Sequence, residues 1–156
     1  QENENEAIIW RGPMIHNAIN QMLQSTDWGE LDYLFIDLPP GTSDAPLTIM
    51  QVLTMDGFVV VTTPQELAKV DAKRSINMIR KLQVNVLGVV ENMSGGVFGS
   101  GAGKEISDEL DLDFLGAIAL RADYQDMSKP TSLLSNEVLD EYRTISEKTL
   151  AVLAST

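Results

Sequence analysis

Short apolar runs alternate with amphipathic stretches along this chain. Tyr33-Leu34-Phe35-Ile36 is closed by Asp37 and the breaker Pro39-Pro40-Gly41. Gly57 to Thr63 is β-branched and unbroken up to Pro64, and Val86-Leu87-Gly88-Val89-Val90 ends at Glu91-Asn92. None of the three alternates strictly between apolar and polar, so each is expected as a strand buried on both faces. Phe114 to Ile118 predicts one more strand. Between these runs, Pro13 to Gln24 sets Met14, Ala18, Met22 and Ile15, Ile19, Leu23 at helical spacing, with the proline suitably early. Glu66 to Leu82, Lys104 to Leu110 and Val138 to Leu153 predict three further helices. Strand–helix–strand repetition with buried strands points to an α/β fold with a mostly parallel sheet flanked by helices. No repeat or linker divides the chain, so residues 1–156 are expected as a single domain, with residues 1–6 a disordered or truncated lead-in.

Composition narrows the function classes. The 156 residues carry 11 Lys plus Arg against 23 Asp plus Glu, a formal net charge of −12. That balance argues against nucleic acid and anionic membrane as partners, since both require clustered cations. A small anionic ligand held by backbone N–H groups stays open. The chain has no cysteine, so it forms no disulfide and supplies no thiolate to zinc or an iron–sulfur cluster. Its apolar runs are far shorter than the ~20 residues of a membrane span, and a cytoplasmic location is expected.

In a parallel α/β sheet, ligands bind beyond the carboxyl ends of the strands. Those ends read Asp37 to Asp44, Thr62-Thr63-Pro64-Gln65 and Glu91-Asn92-Met93-Ser94-Gly95-Gly96. An acid straight after an apolar strand can serve Mg²⁺ in phosphate transfer, or it can simply cap a turn. The Pro-Pro-Gly that follows Asp37 favours the first reading, because a glycine N–H there can face a phosphate.

Several segments resemble the Mrp/ApbC-type ATPases, iron–sulfur cluster carriers of the deviant-Walker branch of P-loop NTPases that includes MinD and nitrogenase iron protein. They are Trp10 to Met14, Trp28 to Tyr33, Asp37 to Thr42, Val61 to Gln65, Leu87 to Ser94 and Phe98 to Gly101, in register. The resemblance implies ATP and Mg²⁺ as cofactors, an iron–sulfur cluster as cargo, a homodimer, and apo iron–sulfur proteins as clients. It places Asp37 as the Walker B carboxylate, catalytic and acting on Mg²⁺ through water. It makes Gly41 the switch glycine near the γ-phosphate and Asn92 the reader of the adenine edge. Gln65 and Asp71 would lie in the switch and dimer-contact region.

The departures from that pattern are equally specific. The family's phosphate loop belongs upstream of Trp10, so the reading is a carboxy-terminal portion lacking the phosphate-loop strand, inactive as an ATPase by itself. The run Gly99 to Lys104 does not replace it: Phe98 stands where the first glycine is required, and Glu105 follows the lysine where Ser or Thr is required. It reads as a lead into a helix. No Cys-Pro-x-Cys lies between Asn92-Met93-Ser94 and Phe98-Gly99. His16 is the one remaining soft-metal ligand and, on a helix facing Asn20, reads as a surface or satisfied histidine. Ser43, Ala119 and Arg121 stand where the family has glycine, proline and aspartate, and Asp123 receives no role. Two other readings stay open: a non-hydrolysing dimerisation or regulatory scaffold that has lost phosphate and cluster sites, and a MinD-like ATPase.

Overall fold

A computed structural model describes residues 12–38 and 44–156. The chain divides into two compact units, Gln1–Thr54 and Met55–Thr156.

In the first unit, α1 (Gly12–Ser25) packs against α2 (Asp44–Val52). α1 starts one residue before the proline that its sequence placed in the first turn, where a missing N–H costs nothing. Beyond it, Trp28 Nε1 donates to Leu23 O at 3.2 Å, and Asp27 Oδ1 accepts from Gly29 N at 3.1 Å, an Asx turn that Gly29 allows with its φ of +63°. α2 was not anticipated from the sequence; it buries Thr48 and Ile49.

The run Tyr33–Ile36 departs from expectation. It belongs to no sheet among the described residues, and Phe35 is 80% exposed, its ring tilted against Tyr33 with centroids 6.5 Å apart. A buried parallel strand takes its backbone hydrogen bonds from neighbouring strands, and none of the described residues pairs with this run.

The second unit is a three-stranded parallel sheet in the order β1-β2-β3, with β1 at Phe58–Thr62, β2 at Val86–Ser94 and β3 at Phe114–Ala119. α3 (Glu66–Lys81) links β1 to β2, α4 (Ala102–Leu110) links β2 to β3, and α5 (Asn136–Ser155) closes the chain. Two successive crossovers in the same direction place α3 and α4 side by side against the sheet, while α5 packs on β3 and β2. The core between these layers holds Ile76, Val89, Ile106, Leu115 and Val138, each fully buried. β2, central in the sheet, meets the expectation of burial on both faces from Leu87 to Glu91, and runs on through Ser94.

β1 does not meet it. Phe58, Val60 and Thr62 are buried, whereas Val59 and Val61 are 37% and 59% exposed. β1 is the last strand of this sheet, and α5 packs on β3 and β2, leaving the exposed Val59 and Val61 on a face of β1 that α5 does not cover. No helix among the described residues is long and apolar enough to cross a membrane.

Candidate functional site

The parallel register brings the carboxyl ends of the three strands to one edge. Thr62 pairs with Glu91, Ser94 pairs with Ala119, and Ser94 O accepts from Leu120 N at 3.0 Å. Gln65 and Asn92 therefore stand at the same end of one sheet, as their sequence positions implied. Asp37 is exposed, lies in the other unit and makes no ion pair with a described residue. Gly41 lies outside the described residues, as do Trp10, Ser43 and residues 1–6; the side chain of His16 does too.

Gln65 is the residue that opens α3. Its backbone is extended (φ −70°, ψ 142°), its carbonyl accepts from Lys69 N at 3.1 Å, and its side-chain Oε1 accepts from the Thr63 hydroxyl. Asp71 sits nearly two turns further on and pairs with exposed Arg74 at 3.2 Å. Asn92 is half-buried, and its Oδ1 accepts from Met93 N at 2.9 Å, with Met93 in the left-handed region at φ +56°. The acceptor half of this amide is thus occupied by its own backbone, which leaves the donor half for a ligand.

Between these residues lies a group to which the sequence assigned no role. Glu91 is 1% exposed at the end of the central strand. Its Oε1 accepts from Ser94 Oγ at 2.6 Å and from Gly101 N at 3.0 Å; its Oε2 accepts from Gly101 N at 3.0 Å and Gly103 N at 2.8 Å. Burial pushes the carboxyl up, but the donors from Ser94, Gly103, Gly101 and Ala102 together outweigh it and hold it below the usual carboxylate range. The signal in the sequence was an acid interrupting an apolar run, with Gly-Ala-Gly ten residues on.

Two glycines make this arrangement possible. Gly101 caps α4 with φ +101°, turning its N–H onto the carboxylate. At Gly103 the helix approaches β2 so closely that a Cβ would stand 2.9 Å from both Glu91 Cβ and the Phe114 ring. The run Gly99 to Lys104 is therefore a lead into α4, as its departures from a phosphate loop implied. Its N–H groups face a carboxylate of the chain itself, and Lys104 pairs with Asp108 one turn along α4.

The surrounding charges are paired across elements. Lys69, nearly buried, bonds Glu105 at 2.7 Å and Glu66 at 2.9 Å, which raises its pKa; the same bond lowers that of Glu105. Lys73 pairs with Glu109 one turn along. After β3, Arg121 makes a bidentate pair with Glu141 of α5, both contacts at 2.6 Å, and its guanidinium is held well above its usual range by that carboxylate. In the sequence Arg121 was visible only as a departure from the family pattern, with no partner indicated. No group of three or more His, Cys, Asp or Glu among the described residues is arranged to hold a metal ion.

Against known proteins, the family model for the NUBPL iron-transfer P-loop NTPases of the ParA group matches residues 1–152. An iron–sulfur cluster carrier protein of Methanocaldococcus jannaschii is 42% identical over 152 residues, covering 88% of this chain and 52% of the relative. A solved nucleotide-binding protein of Archaeoglobus fulgidus, in complex with ADP, is 37% identical with a TM-score of 0.64, covering 83% of this chain and 55% of that one. MinD of Aquifex aeolicus, 18% identical, shares the fold with a TM-score of 0.59 over 97% of this chain and 64% of its own. The chain spans about half the length of the curated relatives it matches. On the breadth of the family match and the identity to the cluster carrier, this chain belongs to the NUBPL iron-transfer P-loop NTPases.

Proposed function

We propose that this chain is the carboxy-terminal portion of an ATP-binding and ATP-hydrolysing cluster carrier of the Mrp/ApbC type, working as a homodimer in the cytoplasm and delivering to apo iron–sulfur proteins. In this reading both units belong to one P-loop domain, and the phosphate loop is supplied from upstream. The observation that supports it is the meeting of Thr62–Gln65 and Asn92–Ser94 at the carboxyl edge of a parallel sheet, where such folds take their ligands.

The residues present fit a nucleotide. The half-buried Asn92 amide offers donors at the strand end, its oxygen being held by Met93 N, and so faces an acceptor on the base edge. Asp37, exposed and without an ion-pair partner among the described residues, suits a carboxylate that holds Mg²⁺ through water. Mg²⁺ supplies neutralisation of charge developing on the phosphates. The role of Gly41 as switch glycine rests on the family resemblance alone, while Gln65, its side chain held by Thr63, stands at the carboxyl end of β1. A cluster does not fit this chain: it has no cysteine, and no metal-holding group occurs among the described residues. Its thiolate ligands come from outside these 156 residues.

Substituting Asp37→Ala in the whole protein is expected to abolish Mg²⁺-dependent ATP turnover, measured as phosphate release. Hydrolysis at the wild-type rate would remove Asp37 from its role. A scaffold reading draws on one observation, the lack of any cluster ligand. Titration with ADP separates the two, because a scaffold that has lost its phosphate site gives no binding heat.

A further inference from the structure

Glu91 is a charged group buried at the carboxyl end of the central strand, and no step above uses it. Its surroundings show what it does. The carboxylate clips the chain twice: to Ser94 Oγ, three residues ahead, and to the N–H groups of Gly101 and Gly103 at the start of α4. Asn92 and Met93 are the two residues enclosed by the first clip. Gly95 to Ser100 is the loop enclosed by the second, closed further by Gly95 N on Gly99 O at 2.6 Å.

Ser94 is in turn fixed to the neighbouring strand through Leu120 N, so both ends of the Asn92–Met93 span are held. Met93 keeps a left-handed backbone, which a non-glycine residue adopts at a cost and which its surroundings must impose. Within the same held span the Met93 N–H donates to Asn92 Oδ1, which fixes the amide of Asn92.

We propose that Glu91 is the positioning residue of the nucleotide site: its carboxylate fixes the Asn92 amide in the orientation that reads the base. This inference rests on the nucleotide reading given above. Glu91 touches no ligand and acts through Asn92. An isosteric amide in its place puts an NH₂ group where backbone donors now point, which loosens one clip while preserving volume.

The test compares ADP and GDP affinity in the whole protein by calorimetry, for wild type, Glu91→Gln and Ser94→Ala. Wild type is expected to prefer ADP. Glu91→Gln is expected to weaken ADP by about tenfold and to bring the two affinities together, as loss of a charged hydrogen bond would. Ser94→Ala, which opens only the first clip, is expected to narrow the preference by about threefold. A residue that merely stabilised the fold would weaken both nucleotides alike and leave their ratio unchanged. If Glu91→Gln does not fold, the ratio in Ser94→Ala decides. A wild-type ratio in the folded variants overturns the role of Glu91 and leaves the nucleotide reading standing. No ADP binding by wild type overturns that reading and this inference together, and equal binding of ADP and GDP by wild type overturns this inference along with the base-reading role of Asn92, leaving nucleotide binding itself standing.

Discussion

Tyr33–Asp37 and Val86–Glu91 have the same design in sequence: an apolar run ended by an acid and followed by a turn. Their fates differ. The second run is the central strand, with β1 and β3 on its edges and helices against both faces; Val89 is fully buried and the acid is saturated with donors. The first belongs to no sheet among the described residues and leaves its aromatics and its acid exposed. Hydrophobic pattern specifies what a segment is suited to, while burial depends on neighbours that lie elsewhere in sequence. The same contrast separates the two acids. One is used up by the fold, and the other remains accessible to a ligand.

The sharpest way to break this comparison is to truncate one side chain from each run. Val89→Ala is expected to lower the unfolding free energy by about 2 kcal/mol, read from urea melts, through lost burial and a residual cavity. Phe35→Ala is expected to change it by less than about 0.5 kcal/mol, as for an exposed position. An equal loss from Phe35 would show that its run is buried in solution.

A somewhat smaller effect tests how β2 gains its cover. Gly103→Ala is expected to cost about 1–2 kcal/mol in the same melts, because the added methyl meets Glu91 Cβ and the Phe114 ring in a well-packed layer. A neutral substitution would mean that α4 can withdraw from β2 without penalty, contrary to the close seat described here.

The last test is the smallest and concerns sign. Glu91 is held below its ordinary range in the fold, so in acid the unfolded chain takes up its proton first. Its stabilisation is fully present above the unfolded carboxylate pKa, near 4.5, and is lost as pH falls through the lower folded value. The urea midpoint of wild type should therefore fall more steeply between pH 6 and about pH 3.5 than that of Glu91→Gln. Parallel slopes would assign the acid sensitivity to other groups.

Much of the fold was legible in the sequence because its signals are local. Proline early in α1, the β-branched run of β1 and the long period of α3 each mark an element within a residue or two of its observed ends. Elements whose definition needs partners were not. Val59 and Val61 look identical to Val89 and Val90 in composition, and their exposure follows from β1 being the edge of this sheet. α2 was hidden because Pro39-Pro40-Gly41 read as a breaker and drew the reading of Asp37 to Asp44 to the strand end; Pro46 stands in the first turn of α2, where proline is tolerated. In the site, Gln65 and Asn92 were found by their place after strands. Glu91 and the Arg121–Glu141 pair were missed, because each depends on a contact 10 to 20 residues away that only the folded backbone creates.

The two ion pairs between α3 and α4 carry a mechanical consequence. Lys69 and Lys73 lie one turn apart on α3, and Glu105 and Glu109 one turn apart on α4, so the helices are joined like rails by two parallel rungs. One rung alone would leave the helices free to pivot about it, whereas two separated by a turn oppose that rotation. Gln65 opens the first rail, and Glu91 grips the head of the second at Gly101 and Gly103. The ends of β1 and β2 are thus tied to one another through this pair of helices as well as through the sheet itself.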